Sequence, residues 1–141
     1  MAAVTPINST AYGFTTPAGP KTAATESGGA GHLECCYVSC AFTGTYATGT
    51  GFSITSAQFA TAISNAKRDG QTITILDVAA AAPGLEAGAF VDAGPVSFAA
   101  GGPATGLLYG ADEATEHAAA AMGSFDSPVV FFVKFAGQAS L

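Results

Sequence analysis

Residues 128–136 read PVVFFVKFA, the most hydrophobic stretch of this 141-residue chain. Its β-branched and aromatic residues favour an extended backbone, so it reads as a strand. Left on a bare edge, the run Val129–Val133 would template aggregation. It therefore belongs in the middle of a sheet or against a partner, and the rest of the chain must supply its neighbours.

Those neighbours are short and mostly extended. Residues 35–47 hold Tyr37, Val38, Phe42 and Tyr46 and few helix formers, which predicts a strand. A turn cluster at Thr48–Gly51 follows, then a short extended piece over Phe52–Ile54. Gln71–Ala79 (QTITILDVA) alternates Ile73 and Ile75 with Thr72 and Thr74, the pattern of a strand with one buried face, and Ala80–Gly84 breaks it. Ala87–Asp92 and Pro95–Ala100 read as a hairpin around Ala93-Gly94, and Thr105–Tyr109 as one further strand.

Helices are few. Thr55 is an N-cap with Gln58 three residues on, a capping box. Phe59, Ile63 and Ala66 then share a face, Lys67 and Arg68 favour the negative helix end, and Gly70 stops it, so a helix is predicted over 56–68. Ala111–Met122 (ADEATEHAAAAM) reads as a second helix, with Asp112 as cap and four alanines propagating it. The expected fold is mainly β: a β-sandwich or jelly-roll-like domain with one or two short helices and an extended N-terminal arm. The arm is read over 1–31 and the β-rich body over 32–141. In the run from Thr15 to Gly31 there is no large apolar residue, while Pro17, Pro20 and Gly19, Gly28, Gly29 and Gly31 are all present. Such a segment is ordered only where it is tied down, along a neighbouring subunit or back on its own body.

Composition narrows the function. Four basic residues stand against ten acidic ones, a net charge of −6, so the electrostatic footprint of a nucleic-acid binder is missing. Lys21, Lys67, Arg68 and Lys134 form no cluster for anionic lipid. No stretch approaches the roughly 20 apolar residues of a spanning helix, so no membrane role is expected. The start, MAAVTP, lacks the basic and apolar regions of a secretory signal, which points to synthesis in a cytoplasm. Charged residues make up only 10% of the chain, while Ala, Gly, Thr and Ser fill more than half of it. Mean hydropathy is nonetheless +0.40. A small domain with so few charges stays soluble most simply when other copies or partners cover much of its surface.

Candidate chemical motifs are weak. His32, Cys35, Cys36 and Cys40 carry zinc-binding atoms, but not at the usual paired spacing, and buried free thiols fit better. Glu113 and His117 would share a helix face with Asp112 and Glu116 nearby, an ordinary solvated charge pattern. Gly49–Gly51 and Gly28–Gly31 lack the lysine and the helix of a phosphate loop. No nucleophile, metal or dinucleotide motif stands in the chain, so no enzyme activity, catalytic residue, metal or cofactor is expected.

With the helix–strand unit SITSAQFATAISNAKRDGQTITILDVA (53–79) and the tail AMGSFDSPVVFFVKFA (121–136) in view, the chain resembles small structural proteins of tailed-bacteriophage virions. The likeness is to capsid decoration or cement proteins. It lies in the short length, the Ala/Gly/Thr-rich low-charge composition, the extended N-terminal segment and the β-rich body. It implies a trimer on the outer capsid surface that binds the major capsid protein and stabilises the shell. A tail-tube, tail-tip or fibre subunit is a second possibility. A third is a small glycan-binding β-sandwich module, which would need exposed aromatics; there is no Trp, and Tyr12, Tyr37, Tyr46 and Tyr109 are scattered in sequence.

Overall fold

A computed structural model of the chain describes residues 2–15, 32–68, 72–110, 112 and 114–138. The strands are β1 Thr5–Thr15, β2 His32–Thr43, β3 Phe52–Ile54, β4 Thr72–Ala82, β5 Gly84–Glu86, β6 Ala89–Ala93, β7 Ala104–Gly106, β8 Leu108–Tyr109, β9 Phe125–Ser127 and β10 Val129–Gln138. Among the described residues there is one helix, α1 Ser56–Lys67. The fold is mainly β and sandwich-like, as the sequence leads one to expect.

The hydrophobic tail strand sits where its chemistry requires. β10 is flanked on one side by β2 and on the other by β4, in an antiparallel sheet of order β1-β2-β10-β4. Inward-pointing residues fall in rungs such as Ala11, Val38 and Phe131, and Glu34, Phe135 and Ile75. Across this inner face lie α1, the β3-β7 pair and a small sheet of order β8-β6-β5-β9. Phe131 is the hub, with its ring centroid 5.6 Å from Phe52, 6.3 Å from Phe59 and 6.4 Å from Phe42.

Two prolines build the corner between the sheets. Pro83 separates β4 from β5, and Pro128 separates β9 from β10. Because β4 pairs with β10 and β5 with β9, one antiparallel ladder bends from the large sheet into the small one. Proline stops each strand by removing a ladder donor, and bends of this kind make sandwich corners. Gly84 is needed here: a Cβ on it would lie 2.6 Å from the Ser127 carbonyl oxygen.

Helix α1 begins as predicted. Thr55 Oγ1 accepts from the Gln58 N–H at 3.1 Å, and Gln58 Oε1 accepts from the Thr55 N–H at 2.8 Å. Arg68, left-handed at φ 54°, closes it; the predicted stop at Gly70 lies outside the described residues.

Several expectations are corrected. Thr5–Thr15, the first part of the expected arm, is strand β1, paired with β2 of the same chain and preceded by a fully buried Val4. Residues 16–31 lie outside the described residues. Strand β4 runs on through Ala82, because its alanines pair with β10 until Pro83 ends the ladder. The hairpin turn is Ala87-Gly88, not Ala93-Gly94: both turn residues have positive φ, as a tight two-residue β-turn demands, and β5 pairs with β6. Pro95–Ala100 forms no strand beyond a single bridge from Ser97 to Thr105. Thr105–Tyr109 divides between β7, which pairs with β3, and β8, which pairs with β6.

Among the described residues of 111–122 there is no second helix. Asp112 does cap a turn, accepting from the N–H groups of Ala114 and Thr115 at 3.1 and 3.0 Å. Beyond it the backbone bonds outward: His117 N–H to Leu108 O, Tyr46 N–H to Ala120 O and Met122 N–H to Gly44 O, each at 2.8 Å. Tertiary partners therefore override the helix preference of the alanine run. Ala111 and Glu113 lie outside the described residues.

Candidate interaction surface

An antiparallel sheet with one face on the core is normally polar on the other. Here the middle rung of the large sheet's outer face is apolar, with Thr10 and Ser39 on the rung to one side and Lys134 and Asp77 on the rung to the other. Tyr12, Tyr37, Phe132 and Ala79 lie opposite one another on four successive strands, forming one rung. Directly opposed residues in a ladder share a face, and the neighbouring inner rung through Val38 and Phe131 is fully buried. Tyr12 is 45% and Tyr37 39% exposed. Leu33 and Ile7 add further exposed apolar area at either end of the face. Among the described residues, the charges on this surface are Lys134 and Asp77, cross-strand neighbours on one rung.

The rings on this face pack against each other. Tyr12 stacks on Tyr37 at 5.7 Å with planes 29° apart, and Phe132 lies 5.5 Å from Tyr37 on its other side. Tyr37 thus has both ring neighbours supplied by its own sheet. The result is an apolar ridge, not an open aromatic platform of the kind that stacks on a sugar ring. This juxtaposition was invisible in sequence, where the tyrosines lie apart; only the strand register brings Tyr12, Tyr37 and Phe132 together.

The motif residues take structural places. Cys36 and Cys40 point inward from β2 and are buried; Cys35 faces outward but is also buried, with Thr15 Oγ1 3.7 Å from its sulfur. All three are free thiols. Burial pushes the Cys36 thiol up to about 12, helped by the adjacent Cys35 and Glu34, and burial alone pushes Cys40 up to about 12. Such thiols are poor nucleophiles and poor metal ligands near neutral pH. No metal-holding group of three His, Cys, Asp or Glu side chains occurs among the described residues. His32 begins β2, and its side chain lies outside the described set.

His117 pairs with Glu86, and Glu113, the partner expected from the sequence, lies outside the described residues. Its Nε2 lies 2.7 Å from Glu86 Oε1 and its Nδ1 2.7 Å from the Ala118 carbonyl. Glu116 accepts from the Tyr46 hydroxyl at 2.7 Å and from the Gly49 N–H at 2.8 Å. Tyr46 lies against the His117 ring, with centroids 5.0 Å apart. These bonds staple the 114–122 segment to β5 and to the Tyr46 loop. They occupy both ring nitrogens of His117, so the group is arranged to hold a loop in place. Asp112 is held below the usual carboxylate range by the backbone and hydroxyl of Thr115 and the Ala114 N–H, the marks of a capping residue.

Two features lie along β4. An open groove of about 640 Å³ runs beside β4, with Val78–Ala80 on one wall and Asp92–Val96 and Tyr109 among its other lining residues. The outer edge of β4 carries no backbone hydrogen bond among the described residues. Among the described residues, no helix is long and apolar enough to cross a membrane. A scan against protein-family models finds no match, and searches of curated proteins and of solved structures find no similar protein.

Proposed function

We propose that this chain is a structural subunit of a virion, seated on the outer surface of a phage capsid, where oligomers of it bind the major capsid protein and stabilise the shell. The observation that carries the reading is the apolar middle rung on the outer face of the large sheet, ridged by Tyr12, Tyr37 and Phe132. Contiguous exposed apolar surface of this kind marks an interaction site. Its near-neutral character suits a protein partner and suits neither nucleic acid nor an anionic lipid surface. The low-charge composition and the resemblance to decoration proteins support the same reading.

The structure changes how such binding would be achieved. Thr5–Thr15 is committed to its own sheet, so it does not reach a neighbour as an extended arm. The sheet face must carry the affinity, and many identical copies on a shell would multiply a modest contact. The sugar-binding alternative fits less well, because Tyr12, Tyr37 and Phe132 pack on one another and leave only part of each ring exposed.

The test is to add the purified chain to capsids that lack it and measure occupancy and heat resistance. Wild type should bind and raise the temperature of shell rupture, and Tyr37→Lys should lower occupancy at least about tenfold, since it puts a charge at the centre of an apolar contact. Labelling of tails instead of heads in electron micrographs would replace this reading with that of a tail component. Equal binding by Tyr37→Lys would remove the face from the mechanism.

A further inference from the structure

We propose that β4 is a self-pairing edge: two copies of the chain join their β4 strands antiparallel about a two-fold axis at Ala79, making one eight-stranded sheet. This deepens the reading above by naming the contact between copies, and it is tested in solution without any capsid.

The two edges of the large sheet are not alike. β1 is blunted by Pro6, by register shifts between Ile7 and Thr10 and between Tyr12 and Thr15, and by left-handed Asn8 and Gly13. Proline and bulges are the devices that protect an edge strand. β4 has its own shifts beside Ile75 and Ala82, but Asp77–Ala80 between them is in regular register with β10. This stretch has no proline and one charge, Asp77, and Ala79–Ala82 are all exposed. A regular, small-residue, nearly uncharged edge is an open template for another strand.

The inner side of that edge is also uncovered. Ala80 pairs with Phe131, which is fully buried, so both point toward the core. Yet Ala80 is exposed, because the groove of about 640 Å³ opens beside it. An incoming strand therefore finds unpaired backbone and room for its inward side chains together.

A second copy is the occupant that fits. With the axis at Ala79, Val78 faces Ala80 of the other copy, and Asp77 lies across from its Ala81, the residue at the β4 register shift. Small residues meet small or medium ones, inward positions meet inward positions, and the only charge of the strand meets no like charge. Each outer rung of Tyr12, Tyr37, Phe132 and Ala79 then continues into its symmetry mate, doubling the apolar ridge. Such a contact is isologous and closes on itself, which limits further growth.

Sedimentation velocity across a range of concentrations tests this. Wild type should shift from the 13.8 kDa chain toward twice that mass as concentration rises. Ala79→Lys, at an exposed site, sets two like charges opposite each other at the axis and should weaken association at least about tenfold. Ala79→Cys should form a covalent dimer on mild oxidation, since opposed residues in an antiparallel pair lie within disulfide reach; this readout holds even if the lysine variant misfolds. Tyr37→Lys should leave the dimer intact. A wild-type monomer at every concentration, a trimer, or a dimer that Tyr37→Lys breaks and Ala79→Lys does not would each overturn the proposal.

Discussion

The hydroxyl of Tyr46 donates to Glu116 Oε2 at 2.7 Å across 70 residues of chain and accepts from the Leu108 N–H at 2.9 Å. Tyr46 and Leu108 are both fully buried, so this hydroxyl is the polar joint between the Tyr46 loop, β8 and the 114–122 segment. Tyr46→Phe keeps the ring and removes the joint, leaving a buried N–H without its acceptor. That costs about 1–3 kcal/mol. In a domain of this size the melting temperature should fall by roughly 4 °C for each kcal/mol. Calorimetry of the variant checks it, and an unchanged midpoint would mean that the Leu108 N–H is satisfied in another way.

The Glu34 carboxylate and the Lys67 ammonium bind through both carboxylate oxygens, at 2.8 and 2.9 Å, and tie the last turn of α1 to β2. Lys67 also lies 5.0 Å over the Phe14 ring, so the same cation ties in β1. Both side chains retain some solvent contact, 16% and 11%, which lowers the cost of exposing either charge. Lys67→Met takes this cation away from the Glu34 carboxylate and should destabilise by about 2–3 kcal/mol, somewhat below the value for a fully buried pair. The double variant with Glu34→Leu should recover most of the loss. Denaturant unfolding of the four proteins in the cycle measures this, and equal losses in the single and double variants would refute it.

Much of the fold is legible in the chain because its strongest signals are local. The capping box Thr55/Gln58 and the hydrophobic run Val129–Val133 each specify their element without help from elsewhere. The misreadings arise where a tertiary contact outbids a local preference. The alanine run 118–121 is a good helix former, but its flanking backbone is claimed by Gly44, Tyr46 and Leu108. The Ala87-Gly88 turn was hidden because alanine seldom takes φ of 49°. The ridge of Tyr12, Tyr37 and Phe132 depends on bulges in β1 and on the pairing of strands far apart in the chain, which no local pattern encodes.

Alkaline pH should unfold the protein through its buried acids. Cys36 and Cys40 rise from an ordinary 9.0 to about 12, and Tyr46 from 10.0 to about 12, chiefly through burial. Each group keeps its proton when folded and loses it when unfolded, so the folded chain binds more protons in this range. Their contribution is complete below pH 9 and is lost as pH rises toward 12. Each group in its window steepens the loss by up to about 1.4 kcal/mol per pH unit. Melting temperatures measured from pH 8 upward should decline progressively, and Cys40→Ala should decline less steeply from a lower starting stability. A flat profile to pH 11 would show that these groups ionise equally in both states.

Gly49 and Gly51 separate two reasons for a glycine. Both have positive φ, 80° and 75°. A Cβ on Gly49 meets nothing within 4 Å, whereas one on Gly51 would fall 1.8 Å from the carbonyl oxygen of Gly106 on the neighbouring strand. Gly49→Ala therefore carries only the left-handed penalty of about 1–2 kcal/mol. Gly51→Ala adds a backbone collision that side-chain rotation cannot relieve, and it would push β7 away from β3. It would also disturb the turn whose carbonyl accepts from the Val4 N–H at 3.0 Å, which anchors the start of β1. Its cost should approach the whole stability of an ordinary domain, about 5–15 kcal/mol. Gly49→Ala should give a folded protein with a slightly lowered midpoint, and Gly51→Ala an insoluble or unfolded one. Comparable midpoints for the two would show that β3 and β7 are not held in close register and that this pair yields where the large sheet does not.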